Sequence, residues 1–461
     1  MRDDHHHVNN VWLKLDGRRA VKHPNPQTLT RKMLRQWIQL TRQSLLSYQQ
    51  LYLRTSKPTN QKFSTSNALL VKDSFVAWKE SDSDNLKSSQ ENFKKESPKQ
   101  LLENSASYQD IPVAPDDVWI KGPYPQNSNF NQSQAKFSKR PPSIDPQNTS
   151  VIFFPGQGTQ YVGMGKDLLK YPNVPEMYEA ASSILGYDLL DVCLKGPSKK
   201  LDKTIYQQPA IVVASLATVE KLRDENPNAL EVCVATAGFS VGEITALTFA
   251  GALSFEDAIR VVKVRAEAMQ LASELTPSGM MTVMYGPDSR LGFACSVAKE
   301  FCQHKGLPDV DCSIASYLYP HCKVIAGNDE ALTFIEHNKS DFRLKRLKRL
   351  PVSGAFHTHL MKPAVEPLKT VLEKVIIEEP FIPVHSNIDG KPYKKIKKIR
   401  KQLLQHLYSP VKWEQTMHVI YERSQGTSFP KTYVCGPKNT LNGVLKMSNA
   451  KASESCTSVY S

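Results

Sequence analysis

The chain has 461 residues, of which 40% are hydrophobic, and a formal net charge of +14. This length fits one large catalytic domain or two to three ordinary domains, and no apolar run approaches the ~18 residues that a membrane span needs, so we expect no membrane insertion. Residues 1–150 hold 22 Lys+Arg against 14 Asp+Glu. Because the remaining chain is only mildly basic, the charge argues against a nucleic-acid partner.

The eight cysteines are scattered along the chain. None belongs to a CxxC pair, and no Cys/His cluster has the spacing of a structural zinc site. Cys302, Cys312 and Cys322 recur at ten-residue intervals, which matches no such spacing either. We therefore expect reduced thiols, no metal site and no bound cofactor.

The N-terminal region, residues 1–72, is predicted to direct the chain to mitochondria. No Asp or Glu occurs from Gly17 to Lys72, where Arg and Lys recur among Ser, Thr, Gln and Leu, a composition typical of presequences. From Met33 onwards, apolar residues at helical spacing and interspersed arginines predict a basic amphipathic helix. The first ten residues, which include Asp3 and Asp4, do not fit a presequence. We hypothesise that translation starts at Met33 and that the mature protein lies in the matrix.

Residues 73–149 are predicted to form a flexible linker. They are rich in Ser, Asn, Gln and Lys, contain scattered prolines, and show little periodicity. Such a composition buries too little apolar surface to order the chain.

The folded body begins at Ser150 with SVIFFPGQG, an apolar run that ends in a glycine turn. Strand-like and helical patterns alternate after it, which predicts an α/β fold with a parallel core sheet formed by residues 150–277 and 350–450. Between these two segments, residues 278–349 have a different pattern, in which strand-like segments enclose two predicted helices. This interval is interpreted as an inserted subdomain, and residues 451–461 as a C-terminal tail.

The segment GFSVGE, which starts at Gly238, follows the apolar run VCVATA and precedes a helix-compatible run. Glycines two positions before and after Ser240 permit a tight turn from strand to helix that projects the serine hydroxyl outwards. The helix N-terminus and the next backbone N–H then face the oxyanion that forms when the serine is acylated. Ser240 is therefore the candidate nucleophile, whereas Glu243 is interpreted as part of the first helical turn.

A serine nucleophile needs a base, and His357 and His359 are the best candidates. They follow the small-residue turn in PVSGAFHTHLM, which can bring a side chain into a cleft. The residues themselves do not favour one of the two. Six other histidines of the body are interpreted as surface or structural residues: His304, His321, His337, His385, His406 and His418.

A second glycine turn, Gly156-Gln157-Gly158, ends the first strand of the body. In a parallel sheet this turn lies at the same edge as the other strand-to-helix loops, where ligands bind. Its backbone N–H groups are candidates for the second oxyanion donor. A plain turn without a ligand remains the alternative.

The ordered motifs FFPGQGTQYVGMG, QQPAIVVASLA, GFSVGE, VRAEAMQ, SGMM, VIAG, PVSGAFHTHLMKPAVEPL and SPVKWEQTM resemble the malonyl-CoA:acyl carrier protein transacylases, specifically their mitochondrial branch. The resemblance extends from Ser150 to about Met447. It implies an α/β-hydrolase-like parallel sheet core with an inserted ferredoxin-like α+β subdomain, in agreement with the change of character after residue 278.

The resemblance also implies roles for individual residues. Ser240 is the nucleophile and His357 its base, and a backbone carbonyl rather than an acidic residue orients that histidine. The backbone N–H groups of Gln157 and Val241 form the oxyanion hole. Arg265, in VRAEAMQ, binds the free carboxylate of the malonyl group, a task for which a planar, permanently charged guanidinium is suited.

The implied activity is transfer of malonyl from malonyl-CoA to the phosphopantetheine thiol of a separate acyl carrier protein, for mitochondrial fatty acid synthesis, by a monomer. Two alternatives remain: a serine hydrolase of acyl thioesters, and a non-catalytic scaffold that binds the carrier. Because carrier proteins are acidic, the basic runs Arg343 to Arg349 and Lys391 to Lys401 are candidate docking surfaces. Phe239 and Lys438 depart from the common family pattern, and Lys438 would be strained if its position required a positive φ.

Overall fold

The computed structural model describes residues 145–352, 354–423 and 426–460. The predicted targeting region and almost all of the predicted linker lie outside these residues. The last residues of the linker interval are part of the fold, because Pro146–Asn148 form a 3-10 helix and Thr149 is buried.

Within the described residues the chain forms ten strands and fourteen α-helices. The strands are β1 (Ser150–Phe154), β2 (Cys233–Gly238), β3 (Ser278–Met284), β4 (Cys312–Tyr319), β5 (Cys322–Asn328), β6 (Arg346–Arg349), β7 (Val384–His385), β8 (Val411–Lys412), β9 (Lys431–Cys435) and β10 (Cys456–Val459). The helices are α1 (Val174–Leu185), α2 (Leu189–Lys195), α3 (Ser198–Leu201), α4 (Thr204–Glu225), α5 (Asn228–Glu231), α6 (Gly242–Phe249), α7 (Phe255–Leu275), α8 (Leu291–His304), α9 (Asp329–His337), α10 (Val365–Lys374), α11 (Ile396–Gln405), α12 (Trp413–Tyr421), α13 (Thr440–Ser448) and α14 (Ala450–Glu454).

The core sheet is parallel and has the strand order β10-β9-β1-β2-β7. Its central strand, β1, is buried on both faces, as expected of a strand covered by helices. Phe154 at the end of β1 is paired with Gly238 at the end of β2. The turns that carry Gln157 and Ser240 therefore leave the sheet side by side, at the edge where parallel α/β sheets bind ligands.

The second sheet belongs to the inserted subdomain. Its elements follow the order β3-α8-β4-β5-α9-β6, and four of its strands are antiparallel with spatial order β6-β3-β5-β4, which is the ferredoxin-like arrangement. A separate apolar cluster, which includes Val283, Ile325 and Phe342, fills it. The predicted α/β fold class with an inserted α+β subdomain is confirmed.

Two features of the sheets differ from the predicted boundaries. The residues interpreted as a tail contain β10, which pairs in parallel with β9 at the edge of the core sheet. In addition, β8 from the second core segment pairs with β4 of the subdomain, so the insertion is tied to the core by a strand. Both strands are short and partly polar, and such strands give almost no periodic signal in a sequence.

Long helices pack around the core sheet. The N-cap residue of α7 is Ser254, whose hydroxyl accepts a hydrogen bond from the backbone N–H of Asp257 at 3.1 Å, and such a cap satisfies one of the free N–H groups of the first turn. This helix packs against α4, α1 and α10. This packing fixes the face of α7 that carries Arg265. Among the helices of the described residues, none has both the length and the apolar content that crossing a membrane would require.

Candidate active site

Ser240 lies on a strained turn between β2 and α6. Its φ of 53° places it in the left-handed region, which non-glycine residues rarely adopt. The flanking glycines are required by close backbone approach: a Cβ on Gly238 would lie 1.8 Å from the carbonyl oxygen of Gly242, and one on Gly242 would lie 2.4 Å from that of Phe154. The sequence forms this turn because only glycine fits at both positions.

A side chain from a third strand end holds the turn in place. Asn387, which follows β7, accepts a hydrogen bond from the backbone N–H of Ser240 at 2.8 Å and donates one to the carbonyl oxygen of Gly238 at 2.7 Å. No motif in the sequence singles out Asn387. The signal was its place directly after a strand that ends at the same sheet edge, but a strand of only two residues is hard to recognise.

His357 contacts the serine. Its Nε2 lies 2.9 Å from Ser240 Oγ, and its Nδ1 lies 2.7 Å from the backbone carbonyl oxygen of His406. Because a carbonyl oxygen can only accept, Nδ1 carries the proton and Nε2 is free to accept the serine proton. The structure thus decides between the two candidate histidines: the side chain of His359 is exposed, and its backbone N–H donates to Asp311 at 2.9 Å.

His357 is also held by its backbone. Its φ is 64°, and its N–H donates to the carbonyl oxygen of Leu407 at 3.1 Å. Two consecutive residues, His406 and Leu407, therefore orient the base. His406 is itself fully buried, and its ring stacks on that of His357 with centroids 4.9 Å apart. The sequence pattern, which indicated a surface or structural residue at His406, gives no sign of this contact with His357.

Arg265 on α7 completes the group of polar side chains around the serine. It is 2% exposed. Its Nη2 donates to Ser240 Oγ at 3.2 Å, and its Nη1 donates to Gln208 Oε1 at 2.7 Å. Burial lowers the pKa of Arg265 to about 10, so the guanidinium remains charged at neutral pH, and its remaining donors are available to a ligand.

Gln157 joins the same network from the turn after β1. Its side chain accepts from Gln208 Nε2 at 3.2 Å and donates to Gln207 Oε1 at 2.6 Å. A Cβ on Gly156 would lie 2.4 Å from the carbonyl oxygen of Phe239, so this turn packs directly on the serine turn. Neither the backbone N–H of Gln157 nor that of Val241 donates to an acceptor in the part of the chain that the structure describes.

Comparisons with known proteins identify the family of this chain. Residues 151–429 match the family described as the acyl transferase domain. The Drosophila melanogaster protein named probable malonyl-CoA-acyl carrier protein transacylase, mitochondrial, is 54% identical over 318 residues, which cover 69% of this chain and 84% of that protein. This chain belongs to the malonyl-CoA-acyl carrier protein transacylase family. The human mitochondrial transacylase is 52% identical over 314 residues, which cover 68% of this chain and 80% of that protein.

Solved structures of the transacylase family share the fold. An acyl carrier protein S-malonyltransferase from Vibrio cholerae is 32% identical, with a TM-score of 0.59 over 68% of this chain and 97% of that one. The corresponding enzyme from Bartonella henselae is 28% identical, with a TM-score of 0.61 over 68% of this chain and 96% of that one.

The two departures from the transacylase pattern are accommodated. The ring of Phe239 packs edge-on against that of Trp413, with centroids 5.6 Å apart. Lys438 has no positive φ, so the strain that a left-handed conformation would cause does not arise. Its Nζ donates to the carbonyl oxygen of Gln160 at 3.2 Å and lies 5.5 Å from the ring centre of Tyr161. The lysine thereby ties the C-terminal turn to the loop after β1.

Burial, more than charge, determines the protonation state of His357. Burial, and secondarily the positive charge of Arg265, lowers the pKa of His357 to about 3. The imidazole is therefore neutral at pH 7 and able to accept a proton. Among the described residues, no group of three or more His, Cys, Asp or Glu side chains could hold a metal ion.

Proposed function

We propose that the protein transfers malonyl groups from malonyl-CoA to the phosphopantetheine thiol of an acyl carrier protein, through a malonyl ester of Ser240. One observation carries the proposal: Ser240 Oγ lies 2.9 Å from the Nε2 of His357 and 3.2 Å from the Nη2 of Arg265. The oxygen of the candidate nucleophile thus lies within hydrogen-bonding distance of both a base and a permanent cation. A base activates the serine, and the cation selects an acyl group that carries its own negative charge.

The first half-reaction acylates the serine. His357 Nε2 takes the hydroxyl proton as Ser240 Oγ attacks the thioester carbonyl, and the backbone N–H groups of Gln157 and Val241 stabilise the oxyanion. The bond from the carbonyl carbon to sulfur then breaks. The proton passes from His357 to the departing thiolate, so CoA leaves as the thiol.

The guanidinium of Arg265 binds the malonyl carboxylate with charge-assisted hydrogen bonds. This contact has a second consequence for the base. Arg265 lowers the pKa of His357 through its positive charge, and a bound carboxylate offsets that charge. The substrate's own carboxylate therefore raises the basicity of His357 when the acyl group is in place, which an acetyl group cannot do.

The second half-reaction runs in reverse. The phosphopantetheine thiol of the carrier attacks the malonyl-serine ester while His357 takes its proton, and the proton returns to Ser240 Oγ as the ester bond breaks. Ser240 and His357 are each only 4% exposed. A buried ester favours attack by a long, flexible thiol arm over attack by bulk water.

The relatives support the proposed partners and location. A solved structure is described as a type II polyketide synthase acyl carrier protein in complex with its malonyl-transacylase, which supports a separate carrier protein as the acceptor here. The Drosophila and human relatives are named mitochondrial. We place the protein in the mitochondrial matrix, as a monomer that acts in fatty acid synthesis with no metal, no bound cofactor and no nucleic acid.

The test is intact-mass measurement of the protein after mixing with malonyl-CoA, with and without phosphopantetheinylated carrier. We expect a malonyl adduct on the wild type that disappears only as malonyl-carrier accumulates, and no adduct on Ser240→Ala. Rapid loss of the adduct to free malonate would instead support the serine hydrolase. The absence of any adduct on the wild type would support the non-catalytic scaffold.

A further inference from the structure

The first turn of α6 contains a carboxylate that the reaction described above does not use. Glu243 is fully buried. Its Oε1 accepts a hydrogen bond from the hydroxyl of Tyr393 at 2.5 Å, and its Oε2 lies 3.2 Å from the Nδ1 of His406. The backbone N–H of Asn387 points at the same Oε2 at 3.4 Å. A buried carboxylate is costly unless donors surround it in this way.

These contacts connect Glu243 to both members of the Ser240–His357 pair. Asn387, which faces the carboxylate with its backbone, holds the serine turn with its side chain. His406 faces the carboxylate with its ring. Its carbonyl oxygen accepts a hydrogen bond from the Nδ1–H of His357, and its ring stacks on the same imidazole. One carboxylate therefore fixes the segment behind the nucleophile and the segment behind the base.

We propose that Glu243 is a positioning residue for the reaction: in its ionised form it holds His406 so that the His406 carbonyl orients His357, and it places a negative charge behind the imidazolium that forms during acylation. The geometry resembles a Ser-His-acid triad in which the acid acts through an intervening histidine. This inference rests on the proposed function, because it concerns the base of that reaction.

The surroundings of Glu243 make its charge sensitive to pH. The titratable groups that face it are Tyr393, His406 and Arg265. Burial is the largest influence on the pKa of Glu243 and raises it to about 7. The hydrogen bonds from Tyr393 and Asn387 and the positive charge of Arg265 act in the opposite direction and lower this pKa. The carboxylate is therefore present above about pH 7 and is lost below it. Because burial holds the pKa of His357 near 3, His357 does not titrate in the same range.

The first test compares wild type with Glu243→Gln, by following Ser240 acylation in single turnovers. We expect acylation to slow by roughly 10- to 100-fold, a part of the 10²- to 10⁴-fold that a positioned base contributes. Malonyl-CoA and acetyl-CoA should be affected equally, because the defect lies in His357 and not in the site for the carboxylate. A loss confined to malonyl-CoA would overturn the proposal, since Glu243 would then act through Arg265.

The second readout is the pH profile of acylation between pH 5.5 and 9. In the wild type we expect the rate to fall as pH drops through about 7. In Glu243→Gln this fall should vanish, leaving a slower but level rate. Tyr393→Phe removes a donor to the carboxylate, which raises the Glu243 pKa further, so the fall should move to higher pH. A purely structural role would lower stability without moving the profile.

Glu414→Gln is the matched control, because Glu414 is another buried carboxylate, on α12, and lies outside the site. Its acylation rate and pH profile should equal those of the wild type. An unchanged acylation rate in Glu243→Gln, or a pH profile in that folded variant that matches the wild type, would overturn the proposal. If Glu243→Gln does not fold, the pH profile of Tyr393→Phe decides: a shift to higher pH supports the proposal, and no shift overturns it. A wild type that forms no malonyl adduct refutes the proposed function instead.

Discussion

At the scale of single residues, both members of the Ser240–His357 pair have a left-handed backbone, with φ values of 53° and 64°. Non-glycine residues in this region cost of order 1–3 kcal/mol and persist only where the surroundings hold them. Here Asn387 holds the serine turn, and the carbonyl oxygens of His406 and Leu407 hold the histidine. The strained backbone thus lowers the stability of the fold but fixes the relative position of the two side chains.

Arg265 is proposed to carry the selectivity for malonyl, and its replacement tests this role. In Arg265→Gln we expect kcat/KM for malonyl-CoA to fall by about 30-fold to a few thousandfold, because truncating one partner of a buried charge pair costs about 2 to 5 kcal/mol. The value for acetyl-CoA should change far less. Steady-state kinetics with both thioesters measure the ratio.

Arg260→Gln is the control for this variant. Arg260 lies on the same helix but is half exposed and pairs with Asp257 at 2.7 Å. Its loss should leave both thioester rates unchanged, since surface ion pairs contribute little. Equal losses for malonyl-CoA and acetyl-CoA in Arg265→Gln would contradict the assigned role.

At the scale of elements, three neighbouring parallel strands position residues of the site at their carboxyl ends. The turns after β1, β2 and β7 carry Gln157, Ser240 and Asn387, and these strands are adjacent in the sheet. The histidine comes from the loop that returns from the subdomain after β6. Because the turns after β1 and β2 are in van der Waals contact at their glycines, a small displacement of either one changes the whole site.

Gly242→Ala tests this close approach. The added Cβ would lie 2.4 Å from the carbonyl oxygen of Phe154, so the turn must move, and a displacement of about 1 Å can cost on the order of 100-fold in rate. We expect the malonyl adduct to form at least about 100-fold more slowly, as measured by quenched-flow mass spectrometry.

Gly443→Ala provides the contrast. Gly443 lies inside α13, and a Cβ there meets no atom within 4 Å. Alanine at this position should raise stability by about 0.5–1 kcal/mol through its better helix propensity and should leave acylation unchanged. Similar rates for the two variants would show that the turn is not held by backbone contact.

At the scale of the whole molecule, both predicted docking runs, Arg343 to Arg349 and Lys391 to Lys401, contain side chains that form ion pairs within the protein. Lys398 is paired with Asp389 at 2.8 Å, and Arg349 is paired with Asp329 and Glu336. These charges are already partly neutralised within the protein. The exposed lysines on and beside α11 include Lys395, Lys397 and Lys401.

Reversal of Lys395, Lys397 and Lys401 to Glu tests carrier docking. We expect transfer to the carrier to slow by at least about tenfold at low salt and less at high salt, because opposite charges steer association and salt screens them. Acylation by malonyl-CoA should not change. Reversal of the exposed Lys431, Lys446 and Lys451 is the control and should affect neither step. Equal losses in both half-reactions would reject this surface.

Buried histidines also make the stability of the molecule depend on pH. Burial lowers the pKa of His357 to about 3, that of His385 to about 4, and that of His406 well below its ordinary value of 6.5. The unfolded chain therefore binds up to three more protons at these positions as pH falls below 6.5. Glu243, with its pKa raised to about 7, offsets one of these protons between about pH 4.5 and 6.5.

We therefore expect the free energy of unfolding to be greatest near pH 6.5 and to fall below it by up to about 3 kcal/mol per pH unit for two net protons, with a smaller decline above it as Glu243 ionises. Chemical denaturation at pH 5, 6 and 7 measures this slope. His385→Asn removes one titrating group outside the Ser240–His357 pair and should reduce the slope by up to about 1.4 kcal/mol per pH unit. A slope that is flat in the wild type would contradict the pKa directions.

The sequence by itself determined the α/β fold class, the inserted subdomain and the identity of the candidate nucleophile. Each of these depends on local patterns: apolar periodicity, glycine spacing around Ser240, and motifs of a few consecutive residues. Short polar strands such as β8 and β10 carry no such pattern, so the sequence placed one in a tail and did not find the other.

The residue pattern by itself left His357 and His359 open, and the family resemblance named His357. Only the tertiary structure decided which residues support the Ser240–His357 pair. Asn387 lies 147 residues from Ser240, and Glu243 acts on His357 only through His406, a residue from a separate segment. Contacts of this kind depend on how strand ends meet at one sheet edge. No property of the individual segments reveals them, because burial and hydrogen-bond partners are set by residues far away in the chain.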